Sequence, residues 1–279
     1  MEIRYICIEV SGICNMDCKF CFANWRENRK MLPYEKIIEN IKQLKEIGVE
    51  AINLTGGDPL LRDDIIQICK YCKSLGIITI ISTNAIELQN KKDVLKYIDA
   101  INLPLDSYHP EIHNKMRPCK LENHHSFILE TISFLNKDYP NIKIKVNTMV
   151  GKKNKDDVLK IGTLLEGKVH CWKLSKFLSS GYGKEYEKEF EISECEYKSI
   201  AKKCNEKYKN SNILEEEYNP KENQLFSVFV DCYGKVNFHT EKGIIAYNTL
   251  KEAKERMEEI KEYRKEYFEK VYQGISKKI

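Results

Sequence analysis

Cys14, Cys18 and Cys21 stand in the segment Ile-Cys-Asn-Met-Asp-Cys-Lys-Phe-Cys, with three residues between the first two thiols and two between the last two. At that spacing one loop can wrap three sulfurs around a corner of an iron–sulfur cube. A cube of four irons then keeps one iron without a protein ligand, and an open metal position is where chemistry happens rather than electron storage alone.

Three other uses of such thiols compete with this one. Structural zinc needs a fourth thiolate or imidazole, and the nearest candidate, Cys7, lies in the apolar run Tyr5-Ile6-Cys7-Ile8, which reads as a strand. A ferredoxin run would continue to a fourth Cys followed by Pro, and none follows Cys21. A disulfide framework fits poorly with a chain of 279 residues and no secretory leader.

Further polar clusters follow in order. Asn53-Leu54-Thr55-Gly56-Gly57-Asp58-Pro59 comes after a helical stretch, Ser82-Thr83-Asn84 ends an Ile-rich run, and Asp106-Ser107 ends another. Each alone could be an ordinary strand-to-helix turn. Taken together with the cysteines, the chain resembles the radical S-adenosylmethionine (radical SAM) superfamily, whose motif is C-x3-C-x-aromatic-C, with Phe20 as the aromatic. The resemblance implies one 4Fe-4S cluster on Cys14, Cys18 and Cys21, and S-adenosylmethionine chelating the open iron. It further implies that Gly56, Gly57 and Asp58 bind the methionyl amine, Asp58 standing where the family usually has Glu. Ser82, Asn84 and Asp106 would supply ribose and carboxylate contacts. Reduction by an external one-electron carrier of flavodoxin or ferredoxin type would release a 5'-deoxyadenosyl radical that takes hydrogen from a substrate.

The elements that must position these residues alternate. Short runs rich in Ile, Val and Leu predict buried parallel strands at 4–10, 50–55, 77–82, 100–105, 142–149 and 169–176. Helical patterns fall near 34–47, 62–75, 91–98, 124–137 and 154–165. In the first, Ile37, Ile38, Ile41, Leu44 and Ile47 share one face and Gly48 stops it. Six such units predict an α/β fold, a partial (β/α)6 barrel, which the resemblance also implies. Functional loops then lie at the C-terminal ends of the strands, where the cysteines, Gly56-Gly57, Asn84 and Asp106 all fall.

Past about residue 190 the pattern changes. The reading is a barrel core over 1–190 and a C-terminal α+β extension over 191–279: a helix near 193–208, a hairpin of 226–230 and 235–238 around Tyr233-Gly234, and a docking helix. That last helix carries Leu250, Ala253, Met257, Ile260, Phe268, Val271 and Ile275 at near-helical spacing with a mixed Glu and Lys face, so packing on the barrel is favoured over lying on a membrane.

Composition sets outer bounds. The chain can bury a large core, and no apolar stretch approaches the roughly 20 residues of a membrane helix. With 46 basic and 42 acidic residues the charge is too balanced for a duplex nucleic-acid footprint. Eleven cysteines without a leader point to a reducing, cytoplasmic setting. Cys69 and Cys72 are spaced C-x2-C but sit in a helical pattern, where they act as small hydrophobes. Cys119, Cys171, Cys195, Cys204 and Cys232 are too scattered to suggest a second cluster.

The substrate is addressed by basic residues. Lys145 and Asn147, two apart on a predicted strand, face the barrel interior, and Lys173 lies on the next strand. Lysines in a barrel need anionic partners; a phosphate or carboxylate substrate would serve, as would internal Asp or Glu or the carboxylate of S-adenosylmethionine. From Cys14 to about Lys176 the chain is also similar to the viperin-like nucleotide dehydratases within the superfamily. The points of similarity are Phe20-Cys21-Phe22, Leu32-Pro33, Asp106-Ser107-Tyr108 with Glu111, Asn123-His124, Lys145-x-Asn147 and Trp172-Lys173. That similarity implies that Arg117, Lys145 and Lys173 grip a triphosphate while Asn123, His124 and Asn147 frame the nucleotide. The implied reaction removes the ribose 4'-hydrogen of CTP or a related nucleotide, expels the 3'-hydroxyl as water and ends at a 3'-deoxy-3',4'-didehydro product. The alternatives are a radical SAM enzyme acting on a peptide or another small anionic metabolite, and a non-catalytic iron–sulfur or zinc module.

Overall fold

The computed structural model describes residues 5–23, 30–209, 213–215, 225–240 and 243–253. Six parallel strands form in chain order: β1 (Tyr5–Ser11), β2 (Ala51–Gly56), β3 (Ile78–Ser82), β4 (Ala100–Pro104), β5 (Lys143–Val150) and β6 (Cys171–Lys176). Each lies within two residues of its predicted span, because both faces are covered and the apolar runs can sit nowhere else. Beyond them, β7 (Ile213–Glu215) extends the sheet beside β6, while β8 (Leu225–Val230) pairs in parallel with β1. The antiparallel strands β9 (Val236–Thr240) and β10 (Gly243–Tyr247) complete the order β10-β9-β8-β1-β2-β3-β4-β5-β6-β7.

The predicted hairpin around Tyr233-Gly234 is therefore present as β8 and β9. Its parallel docking on β1 was not legible, since strand adjacency at that sequence distance has no local signature. Residues 254–279, which hold most of the predicted docking helix, lie outside the described residues. Among the described residues no helix is long and apolar enough to cross a membrane.

The helices are α1 (Tyr34–Glu46), α2 (Ile65–Ser74), α3 (Pro110–Met116), α4 (His124–Asp138), α5 (Val158–Leu165), α6 (Glu187–Phe190) and α7 (Glu194–Lys207). Among the described residues most helices cover the outer face, while Met116 of α3 and Phe190 of α6 pack against the cysteine loop. On α1 the apolar stripe buries Ile37, Ile41 and Leu44, and Gly48 leaves the helix at φ 87°. Ser193 and Glu196 form a reciprocal cap that starts α7.

Three helical expectations shift, each for a visible reason. The 62–75 pattern yields a helix only from Ile65, because Arg62 is drawn inward: its Nη1 donates to the carbonyls of Val10 and Leu32 at 2.7 and 2.8 Å while Nε and Nη2 clasp Asp64. The 154–165 pattern starts at Val158, since Asn154 and Asp157 turn their side chains onto the loop after β4. The 91–98 stretch is a tighter 3-10 helix, Lys92–Lys96, which suits a short connection that must bury Val94, Leu95 and Ile98.

Alternation along the strands separates two interiors. Ile6, Ile8 and Val10 of β1 join the large outer core with the helices, whereas Tyr5 and Cys7 join Ala51, Ile80, Ala100 and Cys171 in a second cluster on the concave side. Side chains from β1, β2, β3, β4 and β6 meet there, so the sheet curls into a partial barrel with a filled floor.

Candidate functional site

Above that floor the lumen is polar. Asn53 Nδ2 donates to Cys7 Sγ at 3.6 Å, Ser82 Oγ donates to Asn53 Oδ1 at 2.9 Å, and Asn102 Nδ2 donates to Ser82 Oγ at 2.9 Å. The register carries this belt on toward the basic wall: Ser82 faces Asn102 and Asn102 faces Lys145, and one step nearer the mouth Pro104 faces Asn147 and Asn147 faces Lys173. Lys145 is only 4% exposed. Asn147 Oδ1 is buried and has no hydrogen-bond partner, a cost of about 1–3 kcal/mol unless a donor arrives.

At the strands' C-terminal mouth, the segment after β1 carries the three cysteines. Cys21 N donates to Cys18 O at 3.2 Å, which curls the loop back on itself. Neighbouring segments hold it from several directions. Gly57 N donates to Ser11 O at 2.6 Å and Asp58 N to Ile13 O at 2.8 Å, so the turn after β2 lies against the first cysteine. On another flank Asp17 N donates to Pro118 O at 2.9 Å, and from outside Gly183 N donates to Cys21 O at 2.8 Å. Phe20 meets Phe190 edge-on at 5.8 Å, and the Arg117 guanidinium sits 4.9 Å over its ring.

N–H donors reach the sulfurs: Asn84 Nδ2 lies 3.9 Å from Cys14 Sγ and Arg117 Nη1 lies 3.8 Å from Cys18 Sγ. Burial pushes the Cys14 thiol up to about 11 and the Cys18 thiol up to about 12. A metal would be the cation that offsets this and deprotonates them. Among the described residues no set of three His, Cys, Asp or Glu side chains closes around a single ion; a cube spaces its three sulfurs over separate irons. Three thiols on one loop, with donors aimed at two of them, are the chemistry a 4Fe-4S cluster takes.

The Asp58 carboxylate is fully engaged. Its oxygens accept from Leu60 N at 2.9 Å, Thr83 Oγ1 at 2.8 Å and Asn84 N at 2.8 Å. Burial pushes it up to about 6, with those donors pulling the other way. Asp58 thus fastens the turn after β2 to the turn after β3. Asp106, wholly buried, accepts from Met149 N at 2.9 Å and from Arg117 Nε at 2.5 Å. Burial works against the charge on Arg117, and the Asp106 carboxylate together with the neighbouring Cys18 and Cys21 outweighs it, raising the guanidinium above its usual value.

Phe20, Gly56, Gly57, Asp58, Asn84, Asp106 and Arg117 therefore gather around the cysteine loop, while Ser82, Lys145, Asn147 and Lys173 line the lumen beneath it. Three residues expected beside a nucleotide have other engagements in this structure. Arg117 is held between Asp106 and Cys18. The exposed Asn123 caps α4, accepting from Ser126 N at 3.2 Å. His124 is buried, its Nε2 2.9 Å from Asn84 O and its Nδ1 2.9 Å from His113 Nε2.

The sequence alone assigned no role at this site to His113, Asn15, Asn53 or Asn102. Asn15 Oδ1 accepts from Asn84 Nδ2 at 2.7 Å, and its place beside Cys14 was the one local clue. The others matter through partners far away in sequence.

Residues 8–165 match the sequence model of the Radical SAM superfamily. The S-adenosylmethionine-dependent nucleotide dehydratase of Flammeovirga pacifica is 30% identical over 182 residues, 59% of this chain and 59% of that protein. The GTP 3',8-cyclase of Limosilactobacillus fermentum is 30% identical over 120 residues, 40% of this chain and 36% of that protein. The chain thus spans less than two thirds of the length of either relative. Streptococcus suis SuiB bound to precursor peptide SuiA shares the fold with a TM-score of 0.69 at 18% identity, over 83% of this chain and 58% of that one. With the family model covering more than half of the chain and a cysteine loop of matching chemistry at the barrel mouth, the protein belongs to the radical SAM superfamily, whose members use a 4Fe-4S cluster and S-adenosylmethionine.

Proposed function

We propose that this chain is a viperin-like nucleotide dehydratase that acts on CTP or a related nucleoside triphosphate in the cytoplasm. The observation that carries this reading is the lumen wall of β5 and β6, where Lys145, Asn147 and Lys173 stand side by side beneath the cysteine loop. Two curated relatives named for nucleotide chemistry, a nucleotide dehydratase and a GTP 3',8-cyclase, support a nucleotide as the substrate class.

In this reading Cys14, Cys18 and Cys21 hold the cluster, with Phe20 packed beneath the loop. Gly56, Gly57, Asn84 and the backbone beside Asp58 form the bed of S-adenosylmethionine, with Ser82 and Asp106 close by. When bound, the pair supplies a 5'-deoxyadenosyl radical by one-electron cleavage, the electron coming from a flavodoxin or ferredoxin type carrier. Lys145 and Lys173 hold the phosphate oxygens, and Asn147 Oδ1 accepts a hydrogen bond from the sugar or base. Arg117, Asn123 and His124 serve the site by tying its loops together, in place of the direct nucleotide contacts that resemblance assigns them. The ribose loses its 4'-hydrogen, the 3'-hydroxyl leaves with one proton as water, and a second electron from the carrier closes the balance.

The test is anaerobic. The reconstituted, reduced chain receives S-adenosylmethionine with CTP, GTP, UTP or ATP in turn, and 5'-deoxyadenosine is followed by mass spectrometry. A rise with one nucleotide, accompanied by a product lighter by one water, is the expected result. Slow release indifferent to all four removes the dehydratase reading.

A further inference from the structure

His113 and His124 form a buried pair that sequence reading left unexplained as a unit. The rings are stacked, with centroids 5.1 Å apart and planes within 9°. The backbone at each end fixes their tautomers. Asp106 N donates to His113 Nδ1 at 3.1 Å, so that nitrogen is an acceptor and the proton of neutral His113 sits on Nε2. His113 Nε2 then donates to His124 Nδ1 at 2.9 Å, which leaves the His124 proton on Nε2, where it donates to the Asn84 carbonyl at 2.9 Å. Protonating either ring would set two donors against each other. Burial holds His113 well below its ordinary value and brings His124 down to about 4, with Arg117 and His125 adding positive charge nearby.

The strut ends on Asn84, whose side chain reaches a cysteine, and on Asp106, whose carboxylate holds a residue that reaches another. Asn84 Nδ2 donates to Asn15 Oδ1 at 2.7 Å and lies 3.9 Å from Cys14 Sγ, and Asp106 holds the Arg117 that points at Cys18 Sγ. A chain of contacts thus runs from Cys14 through Asn84, His124, His113, Asp106 and Arg117 to Cys18, the imidazoles binding the backbone of Asn84 and Asp106 and the side chains of those two residues making the outer links. Hydrogen bonds to cluster sulfurs are one of the levers that set a cluster's potential.

Resting on the cluster assignment above, we propose that His113 and His124 are positioning residues: a neutral strut that fixes the Asn84 and Arg117 donors against Cys14 and Cys18 and thereby sets the reduction potential of the cluster. Both rings act through the residues they brace.

The test uses the full chain after anaerobic reconstitution, with His113→Phe, His124→Phe and the double variant. Phenylalanine keeps a flat ring and removes both nitrogens. The expected result is a normal iron content with a midpoint potential shifted downward in each variant, read by a redox titration followed by electron paramagnetic resonance. The double variant should shift no further than the larger single, because the pair acts as one strut. A wild-type potential in a fully loaded variant, or shifts that simply add, overturns the proposal. Should the variants fail to load, the imidazole nitrogen resonances of the wild-type chain decide it: both rings should carry their proton on Nε2 at neutral pH, and an Nδ1–H tautomer or a cationic ring there would overturn it. A wild-type chain that takes up no 4Fe-4S cluster sinks the parent reading instead, and the tautomers still decide the strut.

Discussion

Gly57 lies so close to Ile13 that a Cβ at Gly57 would fall 2.1 Å from the Ile13 carbonyl oxygen and 2.9 Å from Cys14 N. The turn after β2 and the start of the cysteine loop therefore share one backbone contact with no room for a side chain. Gly57→Ala must push that loop away. We expect it to lose about 1–3 kcal/mol of stability and to bind less iron on reconstitution. Wild-type iron content and an unchanged denaturation midpoint would show that the loop yields freely.

Asp58 offers a second way to loosen the same junction. Asp58→Ala leaves Leu60 N, Asn84 N and Thr83 Oγ1 without their acceptor in a buried place. Each orphaned donor costs about 1–3 kcal/mol, so urea unfolding should move to clearly lower concentration. Affinity for S-adenosylmethionine, measured by equilibrium dialysis on loaded protein, should fall with it, because Asn84 is displaced. A variant with normal affinity and normal stability would count against this junction.

Two buried groups give pH dependences of opposite sign. His124 is depressed from 6.5 to about 4 by burial, so the folded state resists a proton that the unfolded chain accepts. Its contribution is complete above pH 6.5 and is lost as pH falls toward about 4. Glu9 is raised from 4.5 to about 7 by burial and by the neighbouring Asp231 carboxylate. Its contribution is complete below pH 4.5 and is lost as pH rises through about 7. Thermal unfolding across this window should show Glu9→Gln gaining on wild type as pH rises, by at most about 3 kcal/mol. His124→Phe should lose less stability than wild type as pH falls from 6.5 toward about 4. Parallel pH curves for wild type and Glu9→Gln would mean that Glu9 titrates alike folded and unfolded.

Lys145 and Lys173 carry the phosphate grip in the proposed function. Replacing either with Ala should weaken nucleoside triphosphate binding about 10-fold or more, at roughly 1.5–3 kcal/mol per charged hydrogen bond. Binding of S-adenosylmethionine should change far less. Isothermal titration of the loaded double variant measures both, and an unchanged triphosphate affinity would refute the grip.

Much of the scaffold was legible. Runs such as Ile77-Ile78-Thr79-Ile80-Ile81 can be satisfied only as strands covered on both sides, and the stripe Ile37, Ile41, Leu44 only as one helix face, so burial alone dictates element type and approximate ends. The cysteine spacing likewise confined the metal chemistry to one loop. Boundaries moved where a polar side chain was called elsewhere, as with Arg62, Asn154 and Asp157.

What the chain determined by itself was local: periodicity, the thiol spacing and the glycines of the turn after β2 act over a few residues, and their energetics can be read from neighbours. Partnership was decided only in three dimensions. Asp58 closing on Thr83 and Asn84, Arg117 bridging Asp106 and Cys18, His113 meeting His124, and β8 pairing with β1 all join segments that approach only when the barrel curls. A side chain's hydrogen-bond partner depends on that approach, because a buried polar group takes whichever donor or acceptor the fold brings within about 3 Å.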